Sequence, residues 1–340
     1  MSTENVISLG TGKDQLALIK QLSKFFNVIG IDQNKKAIAF KYCKYKIFKS
    51  TFDYQDILTE IKKKKLNYSF VLCRSSGKAL LTQSLLLKHI KKKSINPNNI
   101  IEILDKKKFT KKLKSNKVRT PKIINKKKIK NYKKNFVIKP TRIDISRLGV
   151  FYMNNVNLLS EKMKFYQKHS IKDIMFNEYI LGKDLIFCSI IRNGKIHEIC
   201  NLEEINYVNK DSEIKRFAFL KYNLSKKISY RVNRISKKIL KIFKIENSPL
   251  MLQFRESNGK LYLIEVHIEL WGDSIIEKVI GKKNFENIKL FIKYKKNKLN
   301  LKKINKNILF FNKKNEDKTK SNIIKILNKN EKKNSFFRLQ

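Results

Sequence analysis

Lys139 stands between the apolar run Phe136-Val137-Ile138 and Pro140. Packing alone explains a lysine there poorly, because ammonium groups are almost never buried without a partner. A fixed cation at the end of a buried strand can meet phosphate oxygens. Far downstream, Glu265 closes another apolar run, Tyr262-Leu263-Ile264, opposite a second strand-like segment that carries Gln253. Those two side chains offer the oxygen ligands that magnesium takes. Between them, Tyr179-Ile180 supplies an apolar wall with extended backbone beside it, suited to an adenine edge. Asp184 could accept from ribose hydroxyls, and the polar stretch after Lys139 could cover phosphates with its backbone N–H groups. The plainer alternatives are a surface acid just past a strand end for Glu265 and an ordinary hydrogen-bonded histidine for His267.

The glycines near the N-terminus, Gly10-Thr11-Gly12-Lys13, invite a phosphate role that the surrounding residues do not complete. A P-loop would need a glycine where Ile7 stands and a hydroxyl where Asp14 stands. The dinucleotide pattern keeps Gly10, Gly12 and an acid at Asp32, but Gln15 occupies the third glycine position. The segment is therefore read as a structural turn that starts a helix, with NAD binding as the alternative.

The elements that must position these residues follow from periodicity. Apolar runs at 6–9, 28–31 and 70–73 alternate with helical spacing such as Leu16, Ile19, Leu22 and Phe26, which predicts a small parallel sheet covered by helices. A basic helix is expected at about 105–115, and strands at 136–139 and 150–153. Antiparallel strands are expected at 173–180, 185–192 and 195–201, with Asn193-Gly194 as a tight hairpin turn. Ser225 is placed to cap a long helix whose apolar face is Ile228, Val232, Ile235, Ile239 and Phe243. Two more strands, 250–254 and 261–266, are joined by Glu256-Ser257-Asn258-Gly259.

With 340 residues, 41% of them apolar, the chain can bury more than one core. It has no run of 18 apolar residues and no basic-then-apolar leader, so a soluble cytoplasmic protein without a membrane span is expected. The net charge of +50 would draw polyanions at low salt. Lysine far outnumbers arginine and is spread through every segment, which suits compositional drift better than a dedicated nucleic-acid surface, so no specific nucleic-acid partner is expected. The four cysteines and four histidines make neither CxxC nor HExxH, which argues against a zinc site or a disulfide framework.

In the order and spacing of the segments at 105–106, 136–150, 176–185 and 250–273, the chain over about residues 5–280 resembles the ATP-grasp superfamily of carboxylate–amine or carboxylate–thiol ligases. The resemblance implies an α/β N-terminal domain with a small parallel sheet (1–104). An ATP-grasp domain of two α+β subdomains (105–288) would follow, then a Lys/Asn-rich C-terminal segment (289–340). It implies Lys106 and Lys139 as the ATP-binding lysines and 144–149, including Asp144, Ser146 and the candidate catalytic Arg147, as the loop over the phosphates. Glu178, Tyr179 and Ile180 would form the adenine hinge, with Asp184 as the ribose acid. Glu265 would be catalytic and a magnesium ligand, with Gln253 and His267 completing the metal site. The implied cofactors are ATP and Mg²⁺, and the implied partners a small-molecule carboxylate and amine; a homodimer is compatible with the reading. The chain departs from the family pattern in a loop with few glycines, in the neutral Gln253 and in Glu269, which stands where an arginine is usual. Those departures leave a non-catalytic ATP-binding protein as the first alternative, and the lysine-rich surface leaves a polyanion-binding protein as the second.

Overall fold

The computed structural model describes residues 4–75, 77–92, 94–142, 148–270 and 309–311. The chain begins with β1 (Asn5–Leu9), α1 (Lys13–Leu22), β2 (Asn27–Ile31), β3 (Tyr45–Ile47), α2 (Tyr54–Lys63) and β4 (Phe70–Cys73). Every pairing is parallel, in the order β3-β2-β1-β4. Helices α3 (Lys78–His89) and α4 (Pro97–Leu104) complete this unit. Side-chain caps set the helix starts: Asp53 accepts the Asp56 N–H at α2, and Asn96 accepts the Asn98 N–H at α4, where Pro97 takes the first position.

Next comes α5 (Lys106–Ser115), capped by Asp105, and then a four-stranded antiparallel sheet. Its strands are β5 (Ile123–Ile124), β6 (Phe136–Pro140), β7 (Phe151–Met153) and, after α6 (Leu159–Lys168), β8 (Ile174–Glu178). The sheet order is β5-β8-β6-β7. This unit has its own small core of Phe136, Ile138, Phe151, Met153, Tyr166 and Phe176.

The remainder is a six-stranded antiparallel sheet built from β9 (Lys183–Arg192), β10 (Lys195–Val208), β11 (Ile214–Lys221), then α7 (Lys226–Phe243), β12 (Ser248–Ser257), β13 (Lys260–His267) and β14 (Leu309–Phe311). The sheet order is β13-β12-β9-β10-β11-β14. Helix α7 starts at Ser225, whose hydroxyl accepts the Ile228 N–H, and lays Val232, Ile239 and Phe243 against Leu250, Leu252, Phe254, Leu261 and Leu263. The same apolar core continues into Ile7, Leu9 and Ile29 of the first sheet.

Because strand side chains alternate, burying Leu250, Leu252 and Phe254 of β12 turns Gln253 and Arg255 to the opposite face. On β13, Val266 and Ile268 are buried, so Glu265 and His267 share that opposite face. One face of the large sheet is thus apolar core, and the other carries charge. Sequence periodicity did not reveal β3, β5 or β11. The first two are three and two residues long, and β11 (IKRFAFLK) mixes charge into its alternation. The Lys/Asn-rich tail lies outside the described residues, except for β14, which pairs with β11 through Leu309–Phe311.

Candidate functional site

Lys106 and Lys139 come together because the start of α5 docks on the end of β6. Asp105 caps α5 by accepting the N–H groups of Lys107 and Lys108, which makes Lys106 its first residue. The Lys106 N–H then donates to the Thr141 carbonyl at 2.7 Å, and Asp105 pairs with Arg142 as an isolated bridge. Both lysines are only 9% exposed. Lys106 Nζ lies 2.8 Å from Glu265 Oε1 on β13.

The charges in this cluster are strongly coupled. Burial, then the neighbouring Lys106, lowers the Lys139 ammonium to about 8, and Glu265 partly opposes them. Burial by itself would raise the Glu265 carboxyl, but Lys106, His267 and Lys139 hold it well below the usual carboxylate range. His267 faces carboxylates on both sides, with Nδ1 3.0 Å from Glu269 Oε1 and Nε2 3.4 Å from Glu265 Oε2. Burial would lower its imidazole, but Glu269 and Glu265 push it up to about 10. His267 is therefore a cation at neutral pH, with no free lone pair to offer.

A second cluster lies on the same sheet face. Arg255 pairs in register with Asp184 across β12 and β9, and its Nε is 2.6 Å from Asp184 Oδ1. Asp184 Oδ2 accepts from Asn206 Nδ2 at 2.8 Å. Burial, reinforced by Glu204, raises the Asp184 carboxyl, and Arg255 and Asn206 oppose that rise. Arg255 Nη1 also donates to the Ile180 carbonyl at 3.1 Å, and its guanidinium sits 5.1 Å from the centre of the Tyr179 ring. The segment from Tyr179 to Gly182 joins the small sheet to the large one. At Gly182 a Cβ would lie 2.0 Å from the Glu256 carbonyl oxygen, so only glycine lets the connection pass this close to β12.

The architecture has close counterparts among solved structures. An L-amino acid ligase from Bacillus licheniformis superposes with a TM-score of 0.65 at 14% identity, covering 82% of this chain and 70% of that one. An N5-carboxyaminoimidazole synthetase from Staphylococcus aureus complexed with ADP gives 0.64 at 16% identity, covering 81% and 73%. A D-alanine–D-alanine ligase from Bacillus anthracis gives 0.59 at 14% identity, covering 81% and 89%. The chain has the ATP-grasp fold. No protein-family profile matches it, and comparison with curated proteins found no relative by sequence.

Within the ATP-grasp frame, the structure brings Lys106, Lys139, Glu265 and His267 together, and it sets Gln253 directly opposite Glu265 in the β12–β13 register. Asp184 stands beside Tyr179 and Ile180 through Arg255. The Glu178 carboxylate accepts the Lys122 N–H at 2.8 Å, fastening the start of the edge strand β5. Asp144, Ser146 and Arg147 lie outside the described residues.

Among the described residues no three His, Cys, Asp or Glu side chains gather as a metal site. The two oxygens of Glu265 face Lys106 and His267, so Gln253, Glu265 and His267 as arranged do not fit a cation held by the protein alone. In the N-terminal sheet, Asp32 braces the Gly10–Lys13 turn by accepting the Thr11 N–H at 2.9 Å. A cavity of about 220 Å³ opens there, lined by Gly10, Gly12, Gln15, Asp32 and Ser75. A larger one of about 500 Å³, walled by Leu80, Leu87, Ile190, Pro249 and Ile268, lies between α3 and the end of β9, and neither Lys106 nor Lys139 lines it.

Reading the sequence missed Arg255 and the bridging role of Glu269. The signal for Arg255 was its spacing, two residues beyond Gln253 on the same strand face.

Proposed function

We propose that this chain is an ATP-dependent ligase that activates a substrate carboxylate as an acyl phosphate for capture by an amine or thiol. The observation that supports this reading is the meeting of Lys106 and Lys139, from the small-sheet side, with Glu265 of the large sheet. Two ammonium groups with one carboxylate between them leave a net positive site, and triphosphate oxygens are the complementary ligand. A carboxylate oxygen of the substrate attacks the γ-phosphorus, the bond from that phosphorus to the bridging oxygen breaks, and ADP leaves. The amine nitrogen then attacks the acyl carbon, its proton passes to solvent, and inorganic phosphate departs with the carbon–oxygen bond pair. Lys106 and Lys139 would balance the charge that builds on the moving phosphoryl group. The cup at Gly10, Gly12, Gln15 and Ser75 lies at the carboxyl ends of parallel strands, where α/β sheets bind ligands, and would hold the acceptor. Soluble small-molecule substrates and a cytoplasmic location go with this activity.

The test is release of ADP and phosphate from ATP when pooled carboxylates and amines are supplied. Release that persists undiminished in both Lys139→Ala and Glu265→Ala removes the proposal. A second reading, nucleotide binding without turnover, is favoured by His267, whose ring nitrogens both face carboxylates. It would give ATP-dependent thermal stabilisation and no phosphate with any pool.

A further inference from the structure

We infer that Arg255 is a positioning residue for the nucleobase edge, with Asp184 as its counter-ion instead of a ribose acceptor. This rests on the nucleotide reading above and deepens it.

Arg255 touches three residues at once. Its Nε meets Asp184 on β9 at 2.6 Å, its Nη1 holds the Ile180 carbonyl at 3.1 Å, and its guanidinium carbon lies over the Tyr179 ring, 5.1 Å from the ring centre. Tyr179 is itself set edge-on against Tyr152, with ring centres 4.8 Å apart. The connection between the two sheets is therefore fixed at consecutive residues by one rigid guanidinium, whose planar fork suits simultaneous contacts. Gly182 presses the next turn of the same segment against β12. The backbone edge that would read a base is thus held in a single conformation before any ligand arrives, which lowers the ordering cost of binding.

Asp184 has little left for a ribose. One oxygen meets Arg255 and the other accepts from Asn206, and Asn206 lies 3.5 Å from the next buried acid, Glu204. Glu204 is paired in turn with Arg216. These groups form a continuous polar band on the sheet in which a neutral amide bridges two carboxylates, each paired with an arginine, and taking Asp184 out of it would strand the Arg255 cation.

The experiment is equilibrium binding of ATP and of 2′-deoxy-ATP to the full chain and to Arg255→Met, Arg255→Lys and the double variant Asp184→Asn/Arg255→Met. The wild type should bind both nucleotides within about threefold, since no charged acceptor is reserved for the 2′-hydroxyl. Arg255→Met should weaken both by about tenfold or more, the loss expected when a charge-assisted hydrogen bond that orders a binding edge is removed. Arg255→Lys should recover part of that loss. The double variant leaves no stranded carboxylate, so it should melt near the wild type yet bind as weakly as Arg255→Met. Wild-type affinity in a folded double variant overturns the inference. So does a wild-type preference for ATP over 2′-deoxy-ATP beyond about tenfold, which would put Asp184 on the ribose. A wild type that binds neither nucleotide takes the nucleotide reading down as well, and is recognised before any variant is compared.

Discussion

Lys106 Nζ and Glu265 Oε1 are 2.8 Å apart, although one begins a helix beside the small sheet and the other lies on the edge strand β13 of the large sheet. The contact spans the cleft, so it ties the two walls together. Replacing Glu265 by alanine leaves Lys106 and Lys139 facing each other with no carboxylate between them. Breaking one partner of a buried pair costs about 3 kcal/mol, and a drop of that size is expected in denaturant unfolding of Glu265→Ala. ATP should restore more stability to this variant than to the wild type, because its phosphates replace the missing anion. Equal ATP-induced shifts in both proteins would count against the cluster as a phosphate site.

Lys139 gives the nucleotide-free protein a distinctive pH dependence. Its ammonium titrates at about 8 in the folded chain, against 10.5 for an ordinary lysine. Between those values the unfolded chain holds the extra proton, so the Lys139 contribution to stability rises with pH from about 8 to about 10.5 and is lost again as pH falls. At neutral pH the charged lysine therefore costs about 3 kcal/mol. Lys139→Met should be more stable than the wild type at pH 7, and the advantage should shrink as the pH is raised through that window. Urea melts across the range measure the difference. A gap that does not change with pH would place the ammonium in solvent.

How much of this was legible in the sequence depended on what each residue had beside it. Lys139 and Glu265 stood out because each closes an apolar run, Lys139 directly before a proline and Glu265 opposite a strand carrying Gln253. The Asn193-Gly194 hairpin was equally plain, and both residues have positive φ, at 49° and 70°. Helix α7 showed its cap and its stripe. Lys106 was different, since it heads the run Lys106-Lys107-Lys108 and nothing local sets it apart. What distinguishes it is the helix start fixed by Asp105 and the docking of that start on Thr141, both of which need the fold. Arg255 was hidden because an arginine on an amphipathic strand reads as a solvated face. Its partners Asp184 and Ile180 lie on a different strand and in a turn. The roles of residues 144–147 lie outside what the described residues address.

The arrangement around Glu265 also bears on metal dependence of binding. Both carboxylate oxygens face protein cations, and Lys106 and Lys139 already supply positive charge to the cleft. ATP binding, measured by thermal shift or calorimetry, should therefore survive full chelation with EDTA within about fivefold, while Lys139→Ala should lose about tenfold or more. Abolition of binding by EDTA would show that Glu265 exchanges Lys106 for a divalent ion when the nucleotide arrives.

Glycine positions separate steric need from backbone need. At Gly182 an added Cβ would overlap the Glu256 carbonyl oxygen at 2.0 Å, and that oxygen belongs to the backbone of β12, which cannot swing aside. Gly182→Ala should therefore push the inter-sheet connection off β12, costing about 2–3 kcal/mol of stability and loosening the Tyr179–Ile180 edge. Gly194 also has a positive φ, at 70°, but an added Cβ there meets nothing within 4 Å. Gly194→Ala should cost about 1 kcal/mol, from backbone conformation alone, and leave nucleotide affinity untouched. Parallel urea melts and ATP titrations of the two variants make the comparison. Equal losses of stability with equal affinities would mean that the close approach at Gly182 has no part in shaping the cleft.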